Sequence, residues 1–235
     1  MAVPARLYAP LVAAFESHGW DAVALPRRGF EKGRPVASRE HDWGYADEIA
    51  DIADAVAKAR ADEPDRPVIV LGHSLGSQLA AGHQLHHDPA DGLVCVASSV
   101  PYWRFYGWRL RVLASVIPVV ARVRGFLPPP FFGGPGARTL MSEWARFVRT
   151  ARPPFRAPRL IATPTLAVRL EGDTYALQES TDRFLDVFVD PDVLTEWTYR
   201  HVDVPEGGST HHVHWVRTPD PVADRVVSWW ESLGR

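Results

Sequence analysis

Ser74 is the residue whose setting points most directly to chemistry. It lies in Gly72-His73-Ser74-Leu75-Gly76, just after the apolar run Val68-Ile69-Val70-Leu71 and just before the helix-forming Ser77-Gln78-Leu79-Ala80. A serine in a sharp strand-to-helix turn holds its hydroxyl clear of the sheet, where a base from another loop can take its proton. Strand and helix pass so close there that the residues two before and two after the serine should carry almost no side chain, and both are glycine. The amide of Leu75, opening the helix, would face a developing oxyanion. A turn that merely contains two glycines and a serine is the plain alternative. The strand before it and the helix after it argue against that reading.

A nucleophilic serine needs a base and a group to orient that base. His211, His212 and His214 crowd one late loop, Gly207 to Arg217, and any of them could supply the base. Among carboxylates, Asp173 and its rival Glu171 follow the end of a late strand, whereas Asp190 and Asp192 lie too far beyond it. The same histidine loop, or His83, His86 and His87, could offer nitrogen ligands to a metal. No carboxylate or cysteine stands at a ligand spacing with either group, so neither a metal nor any other cofactor is expected. Cys95, the sole cysteine, sits in Leu93-Val94-Cys95-Val96-Ala97 and reads as a buried strand thiol; alone it can form no internal disulfide.

The elements that must position these groups alternate along the chain. A helix is predicted over residues 4–18, ended by Gly19, followed by a short strand over 21–25. A helix to residue 60, capped by Asp42 or Asp47, carries the stripe Ile49, Ile52, Ala53 and Val56. Then come the strand before Ser74, a helix to about residue 87 and a strand around Leu93. Strand 163–170, helix 176–189, strand 194–202 and helix 221–233 complete the chain. This order implies an α/β fold, a doubly wound, mostly parallel sheet covered on both sides. Over 101–158 the alternation stops, and an inserted helical cap over the strand C-termini is the natural reading, dividing the chain into core 1–100, cap 101–158 and core 159–235. Trp103, Tyr106 and Trp144 in that cap could line an apolar acyl or alcohol pocket.

Composition narrows the partners. The chain has 235 residues, a net charge of −2 and only two lysines, Lys32 and Lys58. Without a basic excess overall, the arginine–aromatic mixture of the cap does not read as a nucleic-acid surface. No basic flank with an apolar core opens the sequence, and residues 110–123 are too short and too interrupted by Arg111, Pro118 and Arg122 to span a bilayer. A cytoplasmic location is the expectation.

The stretch Gly72-His73-Ser74-Leu75-Gly76-Ser77-Gln78-Leu79 resembles the nucleophile elbow of the α/β-hydrolase superfamily. It is most similar to a bacterial group of esterases, related to the serine-aminopeptidase-like lipases, that carries GHSLGGQL here; Ser77 replaces a glycine. Pro26-Arg27-Arg28-Gly29-Phe30 resembles the group's D-x-R-G-x turn, with Pro26 for the aspartate. Ser142-Glu143-Trp144-Ala145-Arg146-Phe147 is similar to its W-A-R-W/F cap segment. The resemblance implies the chain order serine, acid, histidine. Relatives carry G-D-D or G-D-E in the acid's place, which favours Asp173. Their G-H-x-G-F-F-R, counted back from Arg217, gives His212, with His211 and His214 standing where that pattern has glycines. A serine hydrolase of small to medium apolar esters or thioesters follows, its substrate a small molecule. A proline-iminopeptidase-like peptidase would need an acidic cap group to hold an amine, and Glu143 is the only acid there. A catalytically inactive interaction module is the reading from outside the enzymes.

The resemblance also bears on the start of the chain. Such cores have three strands and an oxyanion loop, usually marked His-Gly, ahead of their first helix. By that register Met1 falls at the second oxyanion amide. The expectation is therefore a longer natural protein, with a cut-down variant as the alternative. A sheet open at that side would offer an edge for pairing with a second copy.

Overall fold

Residues 3–33, 35–129 and 134–234 are described by the structure, a computed structural model. Four strands build its main sheet: β1 (Ile69–His73), β2 (Gly92–Val96), β5 (Thr165–Leu170) and β6 (Leu194–Tyr199), parallel and in spatial order β1-β2-β5-β6. A short antiparallel pair, β3 (Phe126–Leu127) with β4 (Gly136–Ala137), belongs to the inserted segment. Strand β2 is buried along its whole length, as a central strand covered on both faces must be.

Period-two alternation assigns the two faces of the sheet. Val94, Val96, Leu166 and Val168 pack against Leu11 and Phe15 of α1 (Ala9–Ser17) and against Val226, Trp229 and Trp230 of α8 (Asp220–Ser232). Leu93, Cys95 and Ala167 face the other way, onto Ala80, Ala81 and Leu85 of α3 (Leu75–His86) and Phe184 and Phe188 of α7 (Gln178–Phe188). The sheet is thus doubly wound. A 3₁₀ turn, Ala5–Tyr8, leads into α1, and Gly19 at φ 76° ends the passage. Residues 21–25 correct the sequence reading. They form no strand and pair with no ladder among the described residues, and Val23 is largely exposed. Alternating apolar character needs a partner edge to become a strand.

Helix α2 (Tyr45–Asp62) starts as its sequence suggests, with Asp47 accepting from the Gly44 amide at 2.7 Å. Asp42 has a different task. Its carboxylate accepts from the amide (2.9 Å) and hydroxyl (2.7 Å) of Thr139 and from Arg138 (2.9 Å), in the first turn of α6 (Arg138–Thr150) of the inserted segment. In return Glu143 of α6 accepts from the Tyr45 amide at 2.8 Å, in the first turn of α2. Each helix therefore has its orphan amides answered by a carboxylate from the other's side. Gly44 permits the approach: a Cβ there would lie 2.8 Å from Glu143 Oε2 and 2.9 Å from Thr139 Cγ2.

The rest of the insert is α4 (Trp103–Tyr106) and α5 (Trp108–Arg124), joined through Gly107 at φ 93°. Ala114, Ile117 and Ala121 of α5, with Leu140, Met141, Trp144 and Val148 of α6, form an apolar cluster that reaches Leu75 and Leu79 of α3. The insert is seated on the helix that follows Ser74.

Candidate active site

Ser74 sits between β1 and α3 with φ 55° and ψ −117°, a conformation that costs energy for any residue with a Cβ. Neighbouring bonds over-determine it. The Ser74 amide donates to Val96 O (2.9 Å), the Ser77 amide donates to Ser74 O (3.0 Å), and the Ser77 hydroxyl donates to Gly72 O (2.8 Å). A Cβ on Gly72 would lie 2.5 Å from Gly76 O, so this glycine is what lets strand and helix meet. Gly76 differs from the sequence reading, because a Cβ there meets no described atom within 4 Å. The close approach constrains one of the two glycines.

Of the three loop histidines, His212 is the one turned inward. It is buried, while His211 and His214 are exposed and stacked on each other at 4.4 Å between ring centroids. His212 Nδ1 bonds Asp173 Oδ2 at 2.7 Å, and its Nε2 bonds Ser74 Oγ at 3.0 Å. With the N–H of Nδ1 donating to the carboxylate, Nε2 carries the lone pair and the Ser74 hydroxyl donates to it. Asp173 hangs from the turn after β5, and its other oxygen accepts from the amides of Tyr175 (2.7 Å) and Ala176 (3.1 Å). Burial works to raise its pKa. The bond from His212, the attraction of that ring and the two amides outweigh burial and hold the carboxyl below its ordinary value. Glu171 instead accepts from the His201 amide at 2.6 Å on an exposed turn.

Beneath His212 lies a group that motif spacing does not reveal. His73 Nδ1 bonds the Tyr8 hydroxyl at 2.7 Å, the Trp215 indole N–H donates to His73 Nε2 at 3.4 Å, and the His73 ring packs against His212 at 5.1 Å. Since the indole can only donate, Nε2 accepts and the ring is neutral, with its Nδ1–H donating to Tyr8. Burial first, and then the neighbouring His212, push the His73 pKa down to about 3. Burial likewise lifts the Tyr8 phenol to about 12. On the other side of His212, the Tyr175 ring lies 5.1 Å away, and its carbonyl accepts from the Tyr106 hydroxyl at 2.7 Å.

Leu75 opens α3, so its amide points out of a helix N-terminus beside Ser74. Met1 lies outside the described residues. The Tyr106 hydroxyl bonds Tyr175 O and Ser180 Oγ, Trp103 is partly buried, and Trp144 is buried in the cluster between the inserted segment and α3. Among the described residues no group of three or more histidines, cysteines or acids is placed to hold a metal ion. Two surface grooves of about 390 Å³ each lie beside α1 and between α5 and α6, and neither is lined by Ser74, His212 or Asp173.

A parallel sheet wound on both faces, with a strained serine at the C-terminal end of a strand and an insert packed on the helix that follows, defines an α/β-hydrolase. Residues 1–151 match the family described as serine aminopeptidase, S33, and the chain belongs to that family. No curated protein matches it by sequence. Among solved structures it is similar to Rv0554 from Mycobacterium tuberculosis, with a TM-score of 0.69 at 16% identity over 98% of this chain and 87% of that one. Paleococcus ferrophilus monoacylglycerol lipase gives a TM-score of 0.66 at 15% identity, covering 97% and 91%. MenH from S. aureus gives 0.63 at 15%, covering 100% and 92%. At such identities the likeness carries the fold alone.

Proposed function

We propose that the chain is a serine hydrolase that cleaves carboxylic esters or thioesters of small to medium apolar acyl groups through an acyl-enzyme on Ser74. The observation that carries this reading is the unbroken line from Ser74 Oγ through His212 to Asp173, at 3.0 and 2.7 Å. Neutral His212 accepts the hydroxyl proton as Oγ attacks the acyl carbon, and returns it to the departing alcohol or thiol. A water molecule, deprotonated by the same nitrogen, then releases the acid. Asp173 keeps Nδ1 protonated and stabilises the imidazolium without taking its proton. The Leu75 amide is one donor to the oxyanion.

Glu143 supports the ester reading over an aminopeptidase-like one. The acid that would have to bind a substrate amine accepts from the Tyr45 amide instead, at the α2 end of the cap. Labelling with a fluorophosphonate probe and hydrolysis of a p-nitrophenyl ester test the proposal together. Ser74→Ala should abolish labelling and lower turnover by at least ~10³-fold while leaving thermal unfolding cooperative. Unchanged ester hydrolysis in that variant would remove Ser74 from the mechanism.

A further inference from the structure

Helix α5 is apolar on two opposite sides. Ala114, Ile117 and Ala121 face the cap core, while Trp108, Val112, Val116, Val119 and Val123 are 66, 51, 46, 62 and 70% exposed. At ~100° per residue these five fall within an arc of about 80°, directly opposite the buried face. Arginines border the arc on both sides, Arg109 on one and Arg111 and Arg122 on the other, while Arg124 lies farther round at the helix end; all four are exposed. The helix contains no acidic residue, and among the described residues no acid pairs with these four. Arg109 lies over the Trp108 ring at 5.9 Å.

The charge is concentrated in the same segment. Residues 101–158 hold ten arginines and one acidic residue, Glu143, a net of about nine positive charges in a chain whose net charge is −2. A basic seam around an outward apolar stripe is the pattern of a helix that lies in a lipid–water boundary, its valines and tryptophan among acyl chains and its guanidiniums at the headgroups. Nucleic acid would meet the same charge, but a row of valines offers bases nothing to stack on. Interrupted by arginines, the helix lies on a bilayer rather than crossing it, in keeping with the absence of any described helix long and apolar enough to span one.

We propose that the outward face of α5 docks the protein on an anionic lipid surface. The helix begins directly after Tyr106-Gly107, and the Tyr106 hydroxyl bonds the carbonyl of Tyr175, whose ring lies beside His212, so docking sets the lipid boundary on that side of the site. Docking is scored by binding and is independent of catalysis at Ser74.

The test is co-sedimentation of the full chain with vesicles of phosphatidylcholine alone or with about 30 mol% phosphatidylglycerol. The protein should partition onto the anionic vesicles at least tenfold more strongly than onto neutral ones, and added salt should weaken this. Arg109→Gln and Arg122→Gln should each lower binding about fivefold. Val112→Gln/Val119→Gln, which leaves every charge in place, should lower it at least tenfold with an unchanged melting temperature and unchanged hydrolysis of a soluble p-nitrophenyl ester. Ser74→Ala should bind as the parent does. Equal binding to both vesicle types, no binding to either, or full binding by the double valine variant overturns the proposal. So does a dimer that dissolves in the valine variant, or retention of a single-stranded oligonucleotide instead of vesicles.

Discussion

Gly72→Ala and Gly76→Ala form a matched pair that tests how the elbow is built. A Cβ at position 72 would lie 2.5 Å from Gly76 O, 2.6 Å from Gly76 C and 2.6 Å from Ser77 Cα, and all three are backbone atoms that cannot rotate aside. Restoring ordinary contact requires β1 and α3 to part by roughly 1 Å. Overpacking of this kind costs about 1–3 kcal/mol. For a chain of this size that lowers the melting temperature by roughly 3–10 °C. The displaced atoms also carry the Ser74 turn, because Ser77 Oγ bonds Gly72 O and the Ser77 amide bonds Ser74 O. A misplacement of ~1 Å at the reacting group lowers turnover by ~10²-fold. At position 76 a Cβ meets no described atom within 4 Å, and the residue is already helical. Gly76→Ala should therefore gain up to ~1 kcal/mol from helix propensity and keep its activity. Thermal melts with p-nitrophenyl ester assays on both variants decide the matter. A Gly72→Ala protein as stable and active as its parent, or a Gly76→Ala protein damaged as badly, would refute the argument.

Two further perturbations address the frame around the site. Asp42→Ala leaves the Thr139 amide and Arg138 unanswered and should lower stability by about 1–2 kcal/mol in chemical unfolding, whereas Asp42→Asn, which still accepts from Thr139, should lose less. His73 and His83 are both held neutral by burial, with pKa values pushed to about 3 and about 4. Folded values below the ordinary one mean that the unfolded chain binds the extra protons. Stability from each is thus complete above about pH 6.5 and declines on acidification toward the folded value, by at most about 2 kcal/mol apiece at pH 5. Urea unfolding at pH 7 and pH 5 should show this decline, His73→Gln and His83→Gln should each reduce it, and equal stability at the two pH values would exclude it.

Much of this arrangement is legible in the sequence because it rests on local rules. A glycine-flanked serine between an apolar run and a helix former can fold in few ways, and strands alternating with helices leave little choice but a parallel sheet. The approach of His212 and Asp173 to Ser74 could be anticipated from chain order together with family resemblance, but not from spacing alone, since three histidines share the loop. What stayed hidden depends on contacts across long separations. Tyr8, His73 and Trp215 meet across the fold, and no period or spacing marks them. Asp42 looks like a cap for the helix just after it, and only the folded chain reveals that it serves α6. Residues 21–25 have strand composition, but strand formation depends on what lies alongside. The stripe on α5 was hidden by its own regularity, because apolar residues at helical spacing suggest a core face whichever way the helix is turned.

The exchange of carboxylates between α2 and α6 ties the inserted segment to the rest of the fold at two helix ends. Swinging α6 away would strip the first-turn partners from two helices at once, including three bonds to Asp42 and one to Glu143, so that side behaves as a welded seam. Elsewhere the segment is held by the Tyr106 hydroxyl against Tyr175 O and Ser180 Oγ, next to a glycine at φ 93°, and by Phe147 of α6, packed with Phe184 and Phe188 of α7. A chain without the Tyr106 hydroxyl would keep that seam whole and loosen only the contact that neighbours His212.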